Sequence, residues 1–177
     1  VVLSTADGNT LLTTEPTSGA RVLRDLNGDG LPEILLGYED GGADILWNAD
    51  PDIRTPLPLD VMLFMKFDFK AEVAVTNPEA GEFILYTGGA EVPSRHTVYR
   101  LQADETTVTI LDTIDIGYIP SLVVANPEEP TPQSILAIHY DHPVTRFRGA
   151  EGVTVRSDVE ATGVTEHATR YVQVDAV

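Results

Sequence analysis

Arg24-Asp25-Leu26-Asn27-Gly28-Asp29-Gly30-Leu31-Pro32-Glu33-Ile34-Leu35-Leu36 sets oxygen-bearing side chains at alternate positions, then a glycine, then a further carboxylate, and runs at once into an apolar segment. Calcium takes six to eight oxygens at roughly 2.3–2.6 Å, and a tight loop with ligands at its first, third and fifth positions gathers them economically. Asp25, Asn27 and Asp29 occupy those positions, Leu31 offers its backbone carbonyl, and Glu33 adds a third carboxylate. Gly28 and Gly30 allow the positive φ that lets such a loop curl without a Cβ clash. The helical calcium loop is excluded, because its twelfth position needs a bidentate Glu and here carries Leu36. Pro32 also forbids an unbroken helix leaving the loop. The expected architecture is strand, calcium loop, strand.

The segment Asp25-Leu26-Asn27-Gly28-Asp29-Gly30-Leu31-Pro32-Glu33 resembles the D-x-N-G-D-G-x-x-[DE] core of FG-GAP/VCBS-type repeats, the integrin-like β-propeller blades. That resemblance implies calcium at Asp25, Asn27, Asp29, Leu31 and Glu33, and a role in binding or assembly. The rest of the chain repeats the layout more weakly. Val73 to Tyr86 and Leu122 to Ile138 each place a polar loop opened by Asn77 or Asn126 between two apolar runs, so the three loop openers lie 52 and 49 residues apart. A period near fifty suits a four-stranded propeller blade. The later loops, Asn77-Pro78-Glu79-Ala80-Gly81-Glu82 and Asn126-Pro127-Glu128-Glu129-Pro130, lack the alternating ligands and are expected to hold no calcium.

Shorter signals point the same way. Val1 to Thr14 reads as a hairpin about Asp7-Gly8-Asn9, Val98 to Leu111 as a second, and Val144 to Val155 as a third. Alternation in Thr107-Val108-Thr109-Ile110 and in Thr169 to Val174 is the period-two pattern of half-buried strands. Phe67-Asp68-Phe69 and Met62 to Met65 read as core strands, and Asn48 to Pro58, with three prolines, as irregular. The expectation is an all-β chain of β-propeller blades, about three repeats of roughly fifty residues. Blade units fall near 15–65, 66–116 and 117–163, with outer strands of a preceding blade at 1–14 and a following strand at 164–177. Propellers close with about four to eight blades, so this segment is expected to associate with further blades or another chain.

Bulk properties bound the function classes. The 177 residues suffice for one domain with a real core, and the hydrophobic share of 42% is ordinary for a globular protein. A net charge of −17 repels nucleic acid and anionic membranes and suits divalent cations or basic partners. Two lysines against nine arginines, with so many acids, fit a secreted or salt-adapted protein. There is no cysteine, hence no disulfide or thiolate metal site. No apolar run approaches the ~18 residues of a membrane span, so no membrane insertion is expected. The chain begins Val1-Val2-Leu3 without methionine or a basic stretch, which reads as a processed product or a piece of something longer. A calcium loop of this kind belongs where free calcium is about millimolar, so the expected location is extracellular, at the cell surface or periplasmic.

Catalytic signatures are absent: no G-x-S-x-G, no phosphate-cradling loop, and acidic pairs such as Glu128-Glu129 and Asp112/Asp115 are expected by chance among 28 acids and read better as solvated faces. His139-Tyr140-Asp141-His142 offers metal-ligand chemistry, but a plain inter-strand turn is the preferred account of it, and His96 and His167 are placed in polar loops. The functional expectation is a calcium-stabilised extracellular module mediating protein binding, adhesion or assembly. A carbohydrate-binding propeller or the non-catalytic module of a polysaccharide-active enzyme is the alternative, and an enzyme with its active residues on other blades is a further one.

Overall fold

The apolar segments form strands, and the strands form antiparallel sheets in simple chain order. A computed structural model describes residues 2–4, 10–13, 17–38, 42–59, 71–88, 96–117, 120, 122–125, 133–139, 142–150, 153–159, 161–162 and 173–174. A two-stranded hairpin comes first, β1 (Val2–Ser4) with β2 (Thr10–Thr13). The first four-stranded sheet holds β3 (Thr17–Leu23), β4 (Glu33–Tyr38), β5 (Ala43–Leu46) and β6 (Arg54–Pro56). The second holds β7 (Glu72–Asn77), β8 (Glu82–Gly88), β9 (His96–Ala103) and β10 (Val108–Ile116). The third holds β11 (Leu122–Ala125), β12 (Ser134–His139), β13 (His142–Ala150) and β14 (Val153–Val159). A last short pair joins β15 (Ala161–Thr162) to β16 (Gln173–Val174). Each four-stranded sheet is an up-and-down meander in which sequential strands pair. The chain is all-β, and among the described residues no helix is long and apolar enough to cross a membrane.

Strand alternation explains how the sheets stack. Val75, Phe83, Leu85, Leu101 and Ala103 of the second sheet pack with Leu23, Leu35, Ile45 and Trp47 of the first. Ala74, Ile84, Tyr86 and Val98, on the alternate positions of the same strands, point the other way and pack with Val123, Ile135, Ala137 and Phe147 of the third. The middle sheet is therefore buried on both faces, which is why Phe83-Ile84-Leu85-Tyr86 is a continuous apolar run. Phe83, Ile84 and Leu85 are each fully buried, worth about 1.5–3 kcal/mol apiece relative to exposure.

Polar bonds fix the offset between sheets. Thr55 Oγ1 donates to the Asp104 carbonyl at 3.1 Å, and Arg21 Nε donates to the Ala71 carbonyl at 2.9 Å, tying first sheet to second. At the other seam Gln133 uses both its backbone and its side chain: its N–H donates to the Val75 carbonyl at 2.9 Å, and its Oε1 accepts from the Val75 N–H at 2.9 Å. Arg100, buried on the face shared with the third sheet, is neutralised by Glu82 at 2.8 Å.

Several sequence expectations meet the structure here. The pairings β1–β2, β9–β10 and β13–β14 bear out the three hairpins. Residues 48–58 are not wholly irregular: they contain β6, whose Pro56 is tolerated because the strand lies at the sheet edge. His96 is not in a polar loop. It opens β9, is buried, and sits with its Nδ1 2.5 Å from Tyr86 Oη. The segments 60–70, 126–132 and 163–170, with the expected core strands at Met62 to Phe69 and with His167, lie outside the described residues.

Gly81 supplies a sharp test of this packing. It closes the β7–β8 connection with φ +66, and a Cβ there would stand 2.1 Å from the Ala103 carbonyl oxygen. Gly81→Ala is expected to destabilise the protein by about 2–3 kcal/mol, combining left-handed strain with overpacking. Gly117, where a Cβ meets nothing within 4 Å, is the control. Thermal or urea unfolding of both variants measures the difference, and equal midpoints would contradict the close approach.

Candidate metal centre

The loop between β3 and β4 spans Arg24 to Pro32 and contains the whole acidic motif up to Glu33, the first residue of β4. Gly28 (φ +78) and Gly30 (φ +87) take the left-handed conformation that the alternating pattern demands. The loop is then knitted by its own side chains. Asp25 Oδ2 accepts from the Gly30 N–H at 2.9 Å, Asn27 Oδ1 from the Asp29 N–H at 3.1 Å, and Asp29 Oδ1 from the Leu31 N–H at 2.8 Å. Asn27 Nδ2 donates to Asp29 Oδ2 at 3.1 Å. Short polar side chains bonding to backbone two residues on are the normal device for building such a turn.

Two residues anchor the loop to the core. Leu26 is fully buried and packs in the cluster between the first and second sheets. Its N–H donates to Glu33 Oε2 at 2.5 Å. Glu33 is 0% exposed, at the head of β4, and shares a strand face with buried Leu35. A buried carboxylate costs several kcal/mol unless it is hydrogen-bonded or neutralised. Glu33 is only half compensated: Oε1 is buried without a hydrogen-bond partner, and so is Asp25 Oδ1.

Proton affinities follow. Burial pushes the Glu33 carboxyl above its ordinary value of 4.5, Asp29 and Asp25 push the same way, and the N–H groups of Leu26 and Asn48 oppose them. Asp29 is exposed, and the Leu31 N–H is the main influence holding its carboxyl below the usual range, with the side-chain amides of Asn27 and Asn48 adding to it.

The structure thus brings Asp25, Asn27, Asp29, Leu31 and Glu33 into one loop, with Leu31 half exposed and Glu33 innermost. Among the described residues no three His or carboxylate side chains are already drawn together as a metal cage. The loop's outer carboxylates are instead engaged by backbone donors, while two inner oxygens lack partners. Those orphaned oxygens fit a hard dication, whose coordination consists of oxygen atoms. In the second sheet the equivalent connection is a single 3-10 turn, Pro78–Ala80, closed by Gly81, and has no such ligand spacing. His139 and His142 are cross-strand partners in the pairing of β12 with β13.

Sequence reasoning missed two participants. Leu26 passes for a spacer in the motif, though a leucine inside an otherwise polar loop signals an anchor. Asn48 lies in the turn after β5, and its left-handed φ of 53 could have been suspected only from its being an asparagine. No protein-family model, curated protein or solved structure matches the chain.

Glu33→Gln tests the electrostatics. The raised pKa means that ionising Glu33 costs the folded state: its contribution is fully favourable below the ordinary value of 4.5 and is lost as pH rises through the raised value. Glutamine keeps an acceptor for Leu26 without the charge. In chelator at pH 7 the variant is expected to melt on the order of 2–4 °C higher than the parent, the shift that ~1 kcal/mol produces at this size. The advantage should vanish at pH 4. Calorimetric scans at the two pH values measure it.

Proposed function

We propose that the chain is a calcium-stabilised β-propeller segment of the FG-GAP/VCBS kind, acting outside the cytosol in protein binding or assembly. The observation that carries the calcium reading is the pair of buried, unpartnered oxygens, Asp25 Oδ1 and Glu33 Oε1, in a loop whose spacing suits that ion. Asp25, Asn27, Asp29 and Glu33 would hold the ion through side chains and Leu31 through its carbonyl. The outer carboxylates would turn inward from their backbone donors. Calcium would supply charge neutralisation and loop rigidity, and no chemistry on a substrate.

The blade arrangement is supported by three four-stranded meanders stacked face to face, with the middle one covered on both sides. The first sheet also buries Ile34, Leu36 and Leu46 on the face away from the second, so its apolar character does not end at the outermost seam. Further blades, or another chain, would continue the stack. A binding role suits a net charge of −17, which favours basic protein surfaces over nucleic acid.

Isothermal calorimetry on metal-stripped protein is expected to find one calcium per chain. Asp29→Ala should abolish binding, and Asn77→Ala in the second connection should leave the stoichiometry at one. At a thousandfold excess over Kd the ion contributes about 4 kcal/mol to the folded state. Calcium should therefore raise the melting temperature by several degrees, magnesium much less because it keeps its waters and demands a tighter octahedron. Identical melting in calcium and in chelator would refute the proposal.

A further inference from the structure

The turn Trp47–Ala49 follows β5 at the same end of the first sheet as the acidic loop. Ile34 of β4 pairs with Leu46 of β5, so the residues just beyond Leu46 run alongside Glu33 and Pro32. Asn48 and Ala49 are the only described non-glycine residues with positive φ, at 53 and 56. Asparagine tolerates this region, whereas alanine is strained there. Such strain persists only where surroundings hold it, and it clusters at functional sites. Ala49 is held by packing against the Ile34, Leu36 and Leu46 cluster. Asn48 is exposed, with its amide beside Asp29 and its N–H beside Glu33.

The next residue back leads across the seam. Trp47 is fully buried, and its Nε1 donates to Thr55 Oγ1 at 2.8 Å. Thr55 Oγ1 in turn donates to the Asp104 carbonyl of the second sheet at 3.1 Å. Trp47 and Asn27 also line one cleft of about 330 Å³ together with Gly81, Gln102 and Asp104. One end of this chain of contacts is the acidic loop, and the other is the neighbouring sheet.

We propose that Asn48 is a positioning residue that clasps the acidic loop from outside, and that through Trp47 and Thr55 it couples cation binding to the seam between the first and second sheets. The proposal rests on the calcium reading of that loop. A bound ion would draw Asp29 and Glu33 toward a common centre. Asn48 lies beside both, so it would move with them or restrain them, and the strained turn would carry the displacement to Trp47. The ion then orders the contact between two sheets as well as its own loop.

Trp47 is the single tryptophan of the chain, so its emission reports this seam without labelling. Calcium titration of the intact chain, followed in parallel by calorimetry and by Trp47 emission, should give coincident curves. Amide exchange at Thr55 and Asp104 should slow as calcium binds. Asn48→Gly keeps the left-handed backbone and the N–H and removes only the amide. It should weaken calcium binding by about tenfold, as loss of an outer-shell partner does, and uncouple Trp47 emission from occupancy. If the parent chain binds no calcium, the calcium reading fails and the clasp with it. If the parent binds calcium while Trp47 emission and exchange at the seam stay unchanged, the coupling is wrong and the calcium reading stands. If Asn48→Gly binds with parental affinity and response, Asn48 is no clasp.

Discussion

The bond from the Leu26 N–H to the Glu33 carboxylate is the constraint on which the end of the first sheet depends. It joins the second residue of the acidic motif to its last, inside the core, at 2.5 Å. Closing the loop there lets Leu26 enter the cluster between two sheets and places Glu33 opposite Leu23 at the start of the β3–β4 ladder. It also obliges the protein to bury a carboxylate. Hydrogen bonding to one oxygen offsets only part of that cost, and the remainder makes the site receptive to positive charge. The closure of the loop and its uncompensated charge thus come from one side chain. A neutral residue at position 33 would give a more stable loop with less to attract an ion.

Much of the fold was legible because both faces of the middle sheet are buried. Val73 to Val75 and Phe83 to Tyr86 have no polar face to hide, so they stand out as apolar runs even though their alternation is silent. The β9–β10 hairpin was legible from Asp104 and its neighbours, since Asp104 Oδ1 accepts from the N–H groups of Thr106 and Thr107 at 2.8 and 2.9 Å. The alternating spacing of Asp25, Asn27 and Asp29 was visible as a local pattern in the sequence.

What stayed hidden depends on distant partners. β6 carries Pro56 and only three residues, and it exists because β5 offers it an edge. His96 follows polar residues in sequence, yet its ring is sheltered by Tyr86, ten residues earlier, with the centroids 5.9 Å apart. Burial accordingly lowers its proton affinity. The left-handed turn at Asn48 has no glycine to announce it. In each case the deciding contact joins segments that no local window contains together.

Gln133 has a consequence for how such a stack keeps its parts separate. A strand edge exposes a row of donors and acceptors that any extended peptide can copy, and two flat sheets lying side by side could fuse into one wide ribbon. At Val75 the glutamine presents one backbone N–H and one side-chain carbonyl, an imitation peptide unit that is one residue long. Because the second half of the imitation is a side chain, these two bonds do not by themselves extend a backbone ladder. The neighbouring segment is held at that point and continues as β12 of its own sheet. A single amide thereby works as a full stop in the hydrogen-bond grammar, letting sheets touch edge to chain while denying an intruding strand the place where growth would begin.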